Sequence, residues 1–196
     1  TNNGAVTLGA ISLGTGVTLG ISSGLGAISL GQVANGKSAT GTLLQLAGGA
    51  VTASGTLDVD ALSLSNSSAT FSSVVGLTIA PVLTVLGPST GIIAFSGPST
   101  NLASGSQFNS GNYGLQFDSA LTTFQGDVNF NNTGALRLGD NSTDNLSFQG
   151  ALAAKTNSSI ALSGTHKYFL AASSVELGGS TSGAISLGAD SSLLPQ

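Results

Sequence analysis

The chain has 196 residues, a net charge of −4, only 6% charged residues, 40% hydrophobic residues and no Cys, Met or Trp. These figures exclude disulfides, thiolate metal sites and cysteine nucleophiles, a basic footprint for nucleic acid or anionic lipid, and the low-hydrophobicity composition of a disordered chain. Ser (31), Thr (20) and Gly (29) together fill 80 positions, so hydroxyls and backbone rather than charges must solvate the surface.

From the N-terminus the sequence repeats apolar–Ser/Thr–apolar–Gly. It runs Val6-Thr7-Leu8-Gly9, Ile11-Ser12-Leu13-Gly14, Val17-Thr18-Leu19-Gly20 and Ile28-Ser29-Leu30-Gly31. Successive side chains of a strand point to opposite faces. Each unit is therefore read as a very short strand with two inward apolar residues and one outward hydroxyl. Gly follows as a corner, since it tolerates positive φ. The same inward pairing continues at Leu44/Leu46, Leu57/Val59, Leu62/Leu64, Leu77/Ile79, Leu83/Val85 and Ile93/Phe95. Beyond these come Leu115/Phe117, Val128/Phe130, Leu136/Leu138, Leu146/Phe148, Ile160/Leu162, Val175/Leu177 and Ile185/Leu187. Helical periodicity is nearly absent, and a chain this rich in Gly, Ser and Thr is a poor helix former.

The repeats are degenerate but real. Gly4-Ala5-Val6-Thr7-Leu8-Gly9 is matched by Gly26-Ala27-Ile28-Ser29-Leu30-Gly31, which sets the repeat length. Gly87-Pro88-Ser89-Thr90 recurs as Gly97-Pro98-Ser99-Thr100, so two like turns bracket the Ile92–Phe95 strand. Short strands, Gly corners and a period of roughly 20 residues favour a solenoid. The expectation is one all-β domain over 1–196, a parallel β-helix (β-solenoid) of about nine short rungs, roughly 40 Å long at the usual strand spacing. The alternative is a β-sandwich filament subunit completed by donor-strand exchange.

Val74 to Leu86 is the most apolar stretch, but Gly76 and Pro81 interrupt it, and it is short of the ~20 residues a membrane helix needs. No leader pattern is visible. The absence of Met at position 1 leads to the expectation of a processed chain or a piece of a longer one. Residues 1–36 and 61–117 carry no charge; charges gather between Asp118 and Glu176.

The run from Gly126-Asp127-Val128-Asn129-Phe130 through Leu136-Arg137-Leu138-Gly139-Asp140 to Asn145-Leu146-Ser147-Phe148 resembles repeats of giant bacterial surface proteins. These are the filamentous-haemagglutinin-like and autotransporter-passenger-like β-solenoids, and the Gly-Ala-Ile-Ser-Leu-Gly units are similar to them as well. The resemblance implies export to the cell surface, a right-handed parallel β-helix, and a role in adhesion or extracellular fibres. It carries over no catalytic, cofactor-binding or metal-binding residue.

Four constellations invite chemistry. Asp58 and Asp60 alternate along one strand, a spacing that suits glycosidase carboxylates. No basic or aromatic residue accompanies them, so they read as solvated surface acids. Asp140-Asn141-Ser142-Thr143-Asp144-Asn145 offers oxygen ligands of the kind Ca²⁺ takes, yet Asx-rich segments are also ordinary turns. His166 is the one histidine and lacks a nucleophile-elbow partner, so it reads as a loop residue. Asn66, Asn131, Asn141, Asn145 and Asn157 each begin an Asn-x-Ser/Thr sequon. No catalytic residue, cofactor or metal is expected.

The leading expectation is a non-enzymatic extracellular structural or adhesive protein that self-associates as a filament subunit, or a segment of a long adhesin. Open solenoid ends template association, and neither Gly4–Leu19 nor Ala184–Gly188 looks like a polar cap. The second expectation is a binding module. Carbohydrate would use exposed Tyr113 or Tyr168, and ice would need an array of Thr on a flat face. A polysaccharide-acting enzyme is the third, since fold alone does not transfer activity.

Overall fold

A computed structural model describes residues 3–35, 40–65, 68–76, 80–86, 91–168, 174–179, 183–188 and 192–195, with only the backbone of 166–168 and 192–195. The Leu77/Ile79 pair, the Gly87–Thr90 turn and Asn66 lie outside the described residues. Among the described residues the architecture is an all-β solenoid of about seven turns with no helix, against the nine rungs expected. Turn size varies along the chain. The turn that carries Val51 onto Ala69 is shorter than the one that carries Ile160 onto Ile185.

Three columns of strands make up the walls. The longest is a nine-stranded sheet. Its strands are Val6–Leu8, Ala27–Leu30, Ala50–Ala53, Ser68–Phe71, Gly91–Phe95, Tyr113–Phe117, Leu136–Leu138, Ile160–Leu162 and Ile185–Leu187. The second column runs from Ile11–Leu13 through Val33–Asn35 and Leu57–Asp58, then through single bridges at Val75, to Ser99–Leu102 and on to Ser192–Pro195. The third runs from Thr18–Ser22 to Gln107–Phe108 and, through the Phe108–Phe130 bridge, on to Val175–Leu177. Every strand pairing among the described residues is parallel. A donor-strand sandwich needs antiparallel neighbours, so the alternative falls.

The inward pairs form ladders. Ile28, Leu30, Val51, Ala53, Ala69, Phe71, Ile93, Phe95, Leu115, Phe117, Leu136, Leu138, Ile160 and Leu162 are all buried along the long sheet. Phe71, Phe95 and Phe117 stack ring on ring at 4.9 and 5.1 Å. Stacking follows from parallel in-register pairing, which sets each side chain above its equivalent one turn earlier. Each fully buried aliphatic contributes about 1.5–3 kcal/mol.

Three inward assignments need correction. Val17 is exposed, and the next pair along, Leu19/Ile21, points in instead, because the Thr18–Ser22 strand starts one residue later than read. Val175 is exposed and Leu177 half-buried. Ile185 and Leu187 are 46% and 63% exposed, because no described strand covers them on the far side.

The corner glycines also differ from the expectation. Of the motif glycines, Gly139 and Gly178 take positive φ, whereas Gly9, Gly14, Gly20, Gly31 and Gly188 do not. Gly139 combines φ of 81° with a crowded site: a Cβ there would lie 2.1 Å from the Ser163 carbonyl oxygen. Gly31 is tight against the turn before it, with a built Cβ 3.0 Å from the Gly9 carbonyl, whereas one on Gly9, Gly14 or Gly20 meets open space or ordinary contact.

Candidate functional site

Asp60 sits at the corner that leads into Ala61–Leu64, directly above Thr42 at the same corner one turn earlier. Its Oδ2 accepts hydrogen bonds from the Thr42 amide at 2.8 Å, the Thr42 hydroxyl at 2.7 Å and the Asn35 amide at 3.3 Å. The Asp60 amide in turn donates to Thr42 Oγ1 at 3.0 Å. Burial pushes the carboxyl up, but the hydrogen bonds from Thr42 and Asn35 outweigh it and hold Asp60 below the ordinary carboxylate value. Asp58 is only 9% exposed. The reading of two solvated surface acids is therefore corrected: Asp58 is packed in, and Asp60 ties consecutive turns.

The Asp140–Asn145 turn is likewise closed on itself. Asp144 Oδ2 accepts the amides of Asp140 at 2.8 Å and Asn141 at 3.3 Å, while Asn141 Oδ1 accepts the Thr143 amide at 2.9 Å. Burial raises the Asp144 carboxyl, and the nearby Asp140 carboxyl adds to the rise against those backbone bonds. One side-chain oxygen each of Asp140, Asn141 and Asp144 is engaged within the turn. Among the described residues, no three His, Cys, Asp or Glu side chains gather in one place.

Tyr113 is fully buried and donates to the Asn109 carbonyl at 2.7 Å, with its phenol pushed up by burial. It is no exposed sugar platform, which corrects that expectation. His166 lies in the Thr165–Tyr168 strand rather than in a loop, in register with buried Leu146. The side chains of His166 and Tyr168 lie outside the described residues. Of the sequon asparagines, Asn131 and Asn141 are exposed, Asn145 is half-buried and Asn157 is fully buried.

Sequence reasoning missed a polar ladder at one corner. Asn132 Nδ2 donates to the Tyr113 carbonyl at 2.9 Å, and Asn157 Nδ2 donates to the Asn132 carbonyl and Oδ1, both at 2.9 Å. Both asparagines are fully buried. It also missed Thr100 and Thr122, buried members of the inward column that holds Val75 below and Leu146 above. Thr100 Oγ1 meets the buried Ser119 hydroxyl at 2.8 Å. The Asn-rich turn composition was the only local signal, and it did not distinguish a buried corner from an exposed one.

The outer face of the long sheet is a surface of small residues. Thr7, Ser29, Thr52 and Thr70 stand in register as one column of hydroxyls. The Thr52 hydroxyl donates to Ser29 Oγ at 3.3 Å. Further along the same column Arg137 grips Asp118 through Nε at 2.7 Å and through its second nitrogen, which also reaches Gln116 Oε1 at 3.0 Å. A shallow groove of about 270 Å³ on the third column is lined by Gly20, Ser22, Gln45, Ala47, Ser65 and Leu86, with no charged group in its lining.

The two ends form the most distinctive surface. Val6–Leu8 and Ile185–Leu187 are the terminal strands of the nine-stranded sheet, each hydrogen-bonded on one edge only among the described residues. Val6, Leu8, Ile11 and Leu19 of the first turn are only partly buried against the core. At the other end Val175, Ile185 and Leu187 are exposed. No helix among the described residues is long and apolar enough to cross a membrane. Comparison with known protein families, with curated proteins and with solved structures returns no match.

Proposed function

We propose that this chain is a non-enzymatic extracellular structural or adhesive protein, acting as a self-associating filament subunit or as a segment of a long bacterial surface adhesin. One observation carries the reading: among the described residues, the first and last strands of the long sheet pair on one edge only and leave their apolar ladders half covered. Such ends template the addition of further strands. The acidic groups support it, because Asp60 Oδ2 accepts from the Thr42 amide of the preceding turn and Asp144 Oδ2 from the amides of its own turn. Few charges and many hydroxyls suit a surface that packs beside its own kind.

Negative-stain electron microscopy over a range of concentrations tests this. Fibres one solenoid wide, or bundles of them, are expected. Discrete short rods at every concentration would remove the filament reading and leave a segment of an adhesin or a binding module. The hydroxyl column of Thr7, Ser29, Thr52 and Thr70 favours that second reading. Its measurement is adsorption to a crystalline or polysaccharide surface, compared with a Thr52→Tyr, Thr70→Tyr variant.

A further inference from the structure

The register of the junction between two copies is written inside the chain. Gly183-Ala184-Ile185-Ser186-Leu187-Gly188, which ends the long sheet, is identical to Gly26-Ala27-Ile28-Ser29-Leu30-Gly31. Gly4-Ala5-Val6-Thr7, which begins the sheet, is identical to Gly49-Ala50-Val51-Thr52. These two internal segments are neighbours. The second sits on the first with Ala27 opposite Ala50, Ile28 opposite Val51 and Ser29 opposite Thr52. The interior therefore already contains the contact that the C-terminal end of one copy would make with the N-terminal end of the next.

Resting on the filament reading, we propose that copies stack head to tail, with Ala184, Ile185, Ser186 and Leu187 pairing in parallel with Ala5, Val6, Thr7 and Leu8 of a second copy. The internal pair supplies the details. The Gly49 amide donates to the Gly26 carbonyl at 3.0 Å and the Thr52 hydroxyl to Ser29 Oγ at 3.3 Å. At the junction the Gly4 amide and the Thr7 hydroxyl of the second copy take those roles toward Gly183 and Ser186. Ile185 and Leu187 lose their exposure beneath Val6 and Leu8. No charge opposes the contact, because residues 1–36 carry none and neither do 177–189.

In the second column Ile11–Leu13 of the new copy follows Ser192–Pro195. The third column does not close in the same way. Among the described residues the first strand lies in the long sheet and the last in the second column, so Val175–Leu177 and Thr18–Ser22 of the next copy stand one strand apart. Two of the three sheets run through the junction. Matching the third column directly would instead place Val6–Leu8 at the height already held by Ile185–Leu187.

Glycine at position 4 discriminates this register from generic stickiness. Nothing lies within 4 Å of a Cβ built on Gly4 in the single chain, whereas one built on Gly49 would lie 2.2 Å from the Leu25 carbonyl oxygen. Gly4→Leu therefore leaves the subunit unstrained and blocks the junction.

The chain has no cysteine of its own, and outward neighbours on adjacent strands stand about 4.8 Å apart, within disulfide range. Thr7→Cys and Ser186→Cys are both exposed positions. Under oxidation, a mixture of the two single variants should give covalent dimers, the double variant a ladder of multimers, and each single variant alone none. Gly4→Leu should keep the parent's circular dichroism and melting and lose assembly wherever the parent assembles. Fibres without the Thr7–Ser186 cross-link, equal cross-linking by one single variant alone, or undiminished assembly of Gly4→Leu would overturn this register and leave the filament reading standing. Monomeric rods throughout would remove both.

Discussion

The Phe117 ring lies 5.1 Å from the Phe95 ring and only 4° from parallel to it, one turn along the solenoid. Phe71 continues the stack below at 4.9 Å. Parallel pairing forces this geometry, since Phe95 and Phe117 are register partners. Phe95→Ala removes the middle ring and opens a cavity against both neighbours. The expected cost is about 3–5 kcal/mol, read as a lowered midpoint in chemical denaturation, and an unchanged midpoint would contradict the stack.

Ile92 and Ile93 test the register with adjacent residues of one type. Ile93 is fully buried, while Ile92 is 46% exposed on the outer face. Ile93→Asp buries an unpaired charge, which costs several kcal/mol, about the stability of a small domain; the variant should fail to fold or lose its turns. Ile92→Asp should shift stability by less than about 1 kcal/mol, as surface changes do. Circular dichroism melts of the pair decide it, and equal effects would mean a slipped strand.

The buried asparagine corner should be sensitive to loss of one amide. Asn132→Ala orphans the Tyr113 carbonyl and removes the side-chain acceptor of Asn157. Each buried group left unpaired costs about 1–3 kcal/mol. Asn132→Leu should rescue nothing, because the lost function is a hydrogen bond to backbone rather than volume. Thermal melts of both variants would show it.

Two carboxylates should shape the acid response in opposite senses. Asp60 is held below its ordinary value, so its stabilisation is complete above about pH 4 and fades as pH falls through the folded value. Asp144 is raised, so its favourable contribution holds below about pH 4 and is lost as pH climbs through the raised value. Asp60→Asn should weaken the fold by about 1 kcal/mol at neutral pH, the scale of one hydrogen bond, and the deficit should vanish in acid. Asp144→Asn should match or exceed the parent at neutral pH and lose that advantage in acid. Denaturation midpoints across the acid range measure both.

Glycan acceptance should follow exposure rather than motif. Produced in a host with the machinery, Asn131 and Asn141 should accept glycan and Asn157 should not, since it is fully buried. Peptide mass mapping reads the three sites directly. Modified Asn157 would mean that the asparagine corner opens.

The alternation that made the strands legible is local. Leu62/Leu64, Ile93/Phe95 and Leu146/Phe148 are alternate positions, and a pleated strand sends such pairs to one face wherever it sits. That rule misplaced Val17, because the strand begins at Thr18 and alternation assigns faces only to residues within a strand. It also said nothing about ends: Ile185-Ser186-Leu187 has the same letters as Ile28-Ser29-Leu30, yet the flanking apolar pair is exposed in one and buried in the other. Burial there depends on whether another turn lies above, which so short a segment cannot encode.

The sequence by itself determined an all-β chain of short strands with a recurring Gly-Ala-Val/Ile-Thr/Ser-Leu-Gly unit, because period-two patterning and Gly-rich corners act between near neighbours in the chain. Only the tertiary structure decided which strands pair; among the described residues all pair in parallel, as the solenoid reading expects. It set Asp60 on Thr42 and Asn157 on Asn132, and it sank Tyr113, Thr100 and Thr122 into the interior. Those contacts join residues about one turn apart in sequence. Their partners are chosen by stacking of whole turns, where a carbonyl or hydroxyl of one turn must meet a donor of the next or remain buried and unpaired.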